Sequence, residues 1–262
     1  MSTISNTMSK KTAVIFGGSE GIGLSCAQQL AADGHRVIIS SRDSSKLNDA
    51  LKLIDGESHA IPCDLSSKDD IESVFAQVGK KWGGCDILVN NNGGPAAGDL
   101  STISDEQWLG IFQSHALSVF RATRLALPHM EEKNWGRIIT IGSVSVKQPI
   151  ENLDLSNFIR GGLAAVQKTL SRKMAPKNIT VHLICPGSIM TSRSKKRIAA
   201  RAELKGISFE ESLNISEQTV PMGRLGKPEE IGHLVAFLCS EKGAYMTGNV
   251  IQVDGGLTTG II

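Results

Sequence analysis

The chain predicts a single α/β domain: a doubly wound, seven-stranded parallel sheet with helices on both faces. Short apolar runs rich in β-branched residues alternate with longer amphipathic stretches through almost the whole sequence, the pattern of repeated βαβ units. No shift in composition marks a linker, and a glycine cluster sits between the first apolar run and the first amphipathic stretch. Strands are expected at 12–16, 36–40, 59–63, 86–90, 137–141, 179–185 and 249–253, and helices at 21–33, 44–54, 68–81, 105–130, 155–174 and 228–238. The irregular stretch at about 188–226 reads as a helical flap between the sixth strand and the last helix, where substrate lids often sit.

Composition narrows the function classes. The 262 residues suffice for one substantial core, and 27 glycines against 8 prolines suggest tight turns rather than disorder. A net charge of +2 lacks the concentrated basic face that displaces counterions from a nucleic acid. No apolar run approaches the ~18 residues that cross a bilayer, so no membrane partner is expected. Residues 1–10 are expected to be a frayed tail without a targeting signal, leaving 11–262 as the domain. Cys26, Cys63, Cys85, Cys185 and Cys239 are scattered, without a C-x-x-C pair or histidines at zinc-ligand spacing. They read as buried free thiols in a cytoplasmic protein with no metal site.

The glycine cluster is Gly17-Gly18-Ser19-Glu20-Gly21-Ile22-Gly23. Backbone amides at a helix start, aided by the helix dipole, can hold a pyrophosphate, and glycines let phosphates approach the chain closely. Further signals follow in order: Asp64 after the third strand, Asn90-Asn91-Asn92-Gly93 after the fourth, Pro186-Gly187 with Thr191 after the sixth, and Val253-Asp254-Gly255-Gly256 near the end. This set, with the Gly17-x-x-x-Gly21-x-Gly23 spacing, resembles the short-chain dehydrogenase/reductase family over essentially residues 10–257. The resemblance implies a Rossmann fold and a nicotinamide dinucleotide. It implies that Gly17, Ser19, Gly21, Ile22 and Gly23 face the pyrophosphate, Asp64 and Leu65 the adenine, and Asn90 with Gly93 the ribose. Pro186, Gly187, Ile189 and Thr191 then face the nicotinamide. Phe16 stands where the family usually has threonine.

Cofactor choice is read at the end of the second strand, where a carboxylate would bond the ribose 2′-hydroxyl and repel a 2′-phosphate. Here Ser41 occupies that position and Arg42 follows, a pair suited to a 2′-phosphate, so NADP(H) is favoured over NAD(H). Asp43 is the competing signal, since Arg42 could pair with it.

The catalytic half departs from the family. There a serine, a tyrosine thirteen residues on, a lysine four further and an upstream asparagine carry the chemistry. Ser143 matches the serine, but the tyrosine position holds Ser156, the lysine position Arg160 and the asparagine position His115. Tyr245, the chain's one tyrosine, is near the C-terminal end, too distant to substitute. A serine hydroxyl is a far weaker acid than a phenol, so Ser156 alone is a poor proton donor. Three readings follow. A reductase or dehydrogenase of a carbonyl, alcohol or acyl-type small molecule would use Arg160 and Ser143 to polarise the substrate, with His115 or a water relayed through Ser156 giving the proton. Alternatively, the chain binds dinucleotide without turnover as a sensor or structural partner, or runs a non-redox lyase or isomerase reaction.

The flap carries Arg193, Lys195, Lys196, Arg197 and Arg201, either a solvated helix face or a cationic lid for an anionic or acyl-carrier-bound substrate. Within the family the pattern is nearest to the 3-oxoacyl-carrier-protein reductases, which implies a carrier contact at Lys177. The resemblance also implies a homotetramer, or a homodimer, through the helices at 105–130 and 155–174. Lys147 is expected at the pocket rim or in solvent.

Overall fold

The computed structural model describes residues 10–260. The expected tail therefore lies outside the described residues except for Lys10, whose ammonium pairs with Glu57 at 2.5 Å. Seven parallel strands make one sheet: β1 (Thr12–Phe16), β2 (Arg36–Ser40), β3 (Ser58–Ala60), β4 (Ile87–Asn90), β5 (Gly136–Ile141), β6 (Ile179–Pro186) and β7 (Val250–Val253), ordered β3-β2-β1-β4-β5-β6-β7. The helices are α1 (Gly21–Ala32), α2 (Ser44–Leu51), α3 (Lys68–Trp82), α4 (Asp105–Ile111), α5 (Ser118–Lys133), α6 (Asp154–Met174), α7 (Ser192–Lys205), α8 (Phe209–Gln218) and α9 (Pro228–Cys239).

Every residue of β1, β4, β5 and β6 is buried, because helices cover both faces of the sheet. Strand alternation divides the core in two. Ile15, Ile39 and Val89 point to a cluster with α1, α2 and α9, while Val14, Ile38 and Leu88 point to one with α3 and α5. The strand order reverses between β1 and β4, so the loops leaving their carboxyl ends diverge and open a crevice there.

Two expectations change. The strand expected at 59–63 pairs only over Ser58–Ala60, because Pro62 has no N–H for the ladder; single bonds from the Ile61 and Cys63 amides to Ile39 and Ser41 carry the chain on. The helix expected at 105–130 is α4 and α5 joined by a π-helical turn, Phe112–Leu117. The side chains of Ser114 and Ser118 bond back to the carbonyls of Gly110 and Ser114, and the Asn92 amide donates to the Ser114 carbonyl at 3.0 Å, holding that wider turn against the crevice. The flap is the pair α7 and α8, joined at Gly206 (φ 62°) and tied by the Arg201 guanidinium, which donates to Ser212 and Ser216 on α8.

Helices α1 and α9 pack closely because Gly232 has no side chain: a Cβ there would lie 2.5 Å from Ser25 Oγ and 2.8 Å from its carbonyl oxygen. Gly232→Val should therefore destabilise the fold by about 1–3 kcal/mol, read as a lowered denaturation midpoint. An unchanged midpoint would show that the two helices can separate freely.

Candidate functional site

The crevice is a cleft of about 980 Å³ along the carboxyl edge of the sheet. Its walls bring together Gly17, Ser19, Gly21, Ile22, Ser41, Arg42, Asp64, Leu65, Gly93, Pro186, Gly187, Ile189 and Thr191 with Ser143, Ser156, Arg160 and His115. Two of the predicted residues are not on the wall. Asn90, the last residue of β4, is buried and donates to Thr140 Oγ1 at 3.4 Å; strand alternation turns it inward. Its neighbour Asn91 lines the cleft instead, and its amide donates to the carbonyls of Phe16 and Gly17 at 3.3 and 3.1 Å. Gly23 also stands back from the wall. It serves the turn, since a Cβ there would collide with the Gly17 carbonyl.

The residues at the glycine turn fit a dinucleotide. Gly17 and Gly21 hold φ of 59° and 56°, which favours glycine, and the turn delivers the chain into the N-terminus of α1 with its free amides facing the cleft. At the lip beyond β2, Asp43 caps α2, its Oδ1 accepting from the amides of Ser45 and Lys46 at 3.0 and 3.1 Å, and no ion pair joins it to Arg42 among the described residues. Arg42 and Lys46 line this end, and Ser41 Oγ is a shielded hydroxyl with no hydrogen-bond partner among the described residues. Lys46 was readable from its place one turn into a helix whose cap borders the cleft. Asp64 holds its loop by accepting from the amide and hydroxyl of Ser66, which lower its pKa.

The opposite end is built around Arg160, which is 7% exposed. Its Nε donates to Ser156 Oγ at 3.2 Å and one terminal nitrogen to the Ile141 carbonyl at 3.0 Å. A guanidinium has five N–H donors, so three remain for an occupant of the cleft. Burial pulls its pKa down to about 10, and neighbouring Arg193 adds to the effect. Ser156 Oγ lies 3.4 Å from Ser145 Oγ, while Ser143 Oγ accepts from the Ser145 amide at 3.2 Å. Lys147 is not on the wall, and Tyr245 is fully exposed beside the residues that enter β7, at the amino edge of the sheet.

His115 sits on the π-helical turn. The Gly93 carbonyl can only accept, so Nε2 carries the proton, and Nδ1 lies 2.9 Å from Ser114 Oγ, whose own proton goes to the Gly110 carbonyl. Burial, with the charges of Arg160 and Arg193, pulls its pKa to about 4, against the opposing bond to Gly93. His115 is thus a neutral, anchored imidazole at pH 7.

Charges of both signs line the cleft. Asp43 and Asp64 line the cleft beside Arg42 and Lys46, Glu20 reaches from the glycine turn to Ser192 at the start of α7 at 2.7 Å, and Arg160, Arg193 and Arg197 add positive charge to the wall. Arg193 donates to the Pro95 carbonyl at 2.9 Å, which lays its guanidinium over the loop after β4. The remaining basic residues of the flap do other work: Arg201 ties α7 to α8, and Lys195 and Lys196 are exposed. Lys177 lies just before β6, at the amino edge opposite the cleft, and pairs with Glu131 at 2.5 Å.

The lowered pKa of His115 gives a pH prediction. An unfolded histidine binds a proton near pH 6.5 and the folded one near 4, so the neutral ring's contribution to stability is complete above 6.5 and is lost as pH falls toward 4. NMR titration should give a His115 midpoint near 4, and a midpoint at 6 or above would restore it as a proton donor near neutrality.

Among the described residues no helix is long and apolar enough to cross a membrane, and no cluster of potential metal ligands occurs. The family model described as enoyl-(acyl carrier protein) reductase matches residues 17–258. The 3-oxoacyl-(acyl-carrier-protein) reductase FabG of Escherichia coli is 34% identical over 249 residues, covering 94% of this chain and 97% of that one. The crystal structure of YwfH, an NADPH-dependent reductase involved in bacilysin biosynthesis, superposes with a TM-score of 0.91 at 28% identity, covering 97% of this chain and all of that one. An actinorhodin polyketide ketoreductase with NADPH gives 0.90 at 31% identity, with 95% and 97% covered. The chain belongs to the short-chain dehydrogenase/reductase family of NAD(P)-dependent oxidoreductases.

Proposed function

We propose that the chain is an NADP(H)-preferring reductase of an anionic small molecule, working without the family's tyrosine and lysine. The observation that carries this reading is the pair of basic groups along one cleft. A helix mouth and a basic lip suit a 2′-phosphorylated dinucleotide at one end, and Arg160, Arg193 and Arg197 suit an anionic substrate at the other. The NADPH-dependent solved relatives support the cofactor reading.

When bound, reduced nicotinamide supplies hydride; the side chains do the rest. Gly17 to Ile22 would cradle the pyrophosphate, Asp64 and Leu65 the adenine, and Pro186, Gly187, Ile189 and Thr191 the nicotinamide side. Arg160 takes over the ribose-binding and electrostatic work of a lysine, with Ser143 and Ser156 directing hydroxyls to the substrate oxygen. With His115 neutral and tied to Gly93, the proton comes from water relayed past Ser156. Arg193 and Arg197 hold the substrate's negative group under the flap.

We further infer a cytoplasmic homo-oligomer. The five cysteines are buried free thiols, and exposed Leu109, Phe112, Phe158 and Val166 leave apolar surface on the helices expected to pair. The position of Lys177, ion-paired at the far edge of the sheet, gives no support to a carrier contact there, so a free small molecule is favoured over a carrier-bound one.

Calorimetry with NADPH and NADH tests the cofactor reading. Wild type should bind NADPH at least about tenfold more tightly, and Ser41→Asp should reverse the order by restoring a carboxylate at the ribose. Equal affinities in wild type would remove the NADP(H) preference, and absence of binding by either would remove the reductase reading. In a reductase, Arg160→Ala should weaken NADPH binding more than Ser156→Ala, and equal losses would refute the role given to Arg160.

A further inference from the structure

We propose that Glu20 is a positioning residue that latches the dinucleotide entrance: its carboxylate holds the first turn of α7 across the empty cleft, and the phosphates of an arriving dinucleotide displace it. This rests on the dinucleotide half of the reading above and concerns how the cofactor enters rather than what it reduces.

The flap is jointed to the sheet through backbone. The Met190 amide donates to the Gly226 carbonyl at 2.8 Å and the Gly226 amide to the Ser188 carbonyl at 2.9 Å, so both ends of the α7–α8 pair leave from one bridge. Arg201 ties the two helices to each other. The first turn of α7 is itself firm, because Ser194 Oγ accepts from the Thr191 amide at 2.7 Å and Thr191 Oγ1 from the Ser194 amide at 3.2 Å. Two neighbouring side chains pin that turn to the cleft wall. The Ser192 hydroxyl donates to Glu20 Oε2 at 2.7 Å, on the glycine turn, and Arg193 donates to the Pro95 carbonyl at 2.9 Å, on the loop after β4. The fit beneath is close, since a Cβ on Gly21 would lie 3.2 Å from Thr191 Cγ2. A pyrophosphate reaching the mouth of α1 therefore has to pass the turn that Glu20 holds.

Glu20 also has a second partner, the Lys46 ammonium on α2, 3.5 Å from Oε1. One carboxylate thus joins the glycine turn, the basic lip and the flap. Its charge is the wrong one for a phosphate site. In the empty cleft it satisfies the positive field of the helix mouth and of Lys46, the same field that draws the phosphates in. Once phosphates are present they compete for Lys46 and repel the carboxylate, which is half-exposed and turns to water at little cost. Ser192 then loses its acceptor and the flap is free. The latch therefore belongs to the empty protein alone. A bond made only in the empty state lowers the fraction of molecules open to ligand, and apparent affinity falls by that fraction. Breaking the bond from the Ser192 side, without changing any charge, should then strengthen binding, whereas loss of an ordinary contact on the wall weakens it.

NADPH fluorescence, read by stopped flow and by equilibrium titration, tests this. Ser192→Ala should speed association and tighten Kd by about three- to tenfold, with the dissociation rate unchanged. Glu20→Ala should tighten binding at least as much, and adding Ser192→Ala to it should bring no further gain. Glu20→Gln, whose amide oxygen still accepts from Ser192, should respond to the added Ser192→Ala as wild type does. Melting curves establish that each variant is folded. Unchanged or weaker NADPH binding by Ser192→Ala, or a further gain from it in the Glu20→Ala background, overturns the latch while leaving the dinucleotide reading intact. Failure of the wild type to bind NADPH overturns both.

Discussion

The side-chain amide of Asn91 holds the cleft together where the strand order reverses. By donating to the carbonyls of Phe16 and Gly17, it fastens the loop after β4 to the turn after β1. Everything on the cofactor half depends on that fastening. The turn can approach Asn91 so closely only because Gly17 has no side chain, and α1 can begin where it does only because Gly23 leaves room for the Gly17 carbonyl. The loop fixed by Asn91 continues to Asn92, which holds the π-helical turn, and to Gly93, which anchors His115. One amide thus links the nucleotide turn to the substrate end.

At that end, replacing a phenol and an ammonium by a hydroxyl and a guanidinium changes the kind of chemistry available. A tyrosine beside a lysine can both hold and deliver a proton, because the cation brings a titratable group toward the working pH. Arg160 and Ser156 can only hold: the guanidinium is a permanent charge in fixed geometry, and the serine is not titratable in water. His115 in the asparagine position does not compensate, because burial and the charges of Arg160 and Arg193 keep it neutral. Arg193 and Arg197 increase the positive field on the cleft wall that holds Arg160.

Much of this was legible in the sequence. The strand and helix alternation reports burial directly, so all seven strands were readable, and the glycine turn was readable from its place between a strand and a helix. What escaped depended on local geometry. The π-helical turn arises from serine and asparagine side chains competing for backbone groups, which leaves no periodic trace. The motif gives an order of residues, whereas strand alternation decides which side chain faces the cleft, so Asn91 rather than Asn90 lines the wall. The flap's basic run also looked uniform, yet α7 turns Arg193 and Arg197 to the cleft, Arg201 to α8 and the lysines to solvent.

We propose that a buried arginine, positioned by Ser156, takes the place of the family's tyrosine and lysine at the hydride-transfer corner. A crystal structure of the NADPH complex would place that arginine against the cofactor or away from it. The nicotinamide ribose should lie within hydrogen-bond reach of the Arg160 guanidinium, with the Ser156 hydroxyl facing the open side of the ring. A guanidinium turned away from the dinucleotide, or a crevice filled by side chains where the nicotinamide should lie, would contradict it.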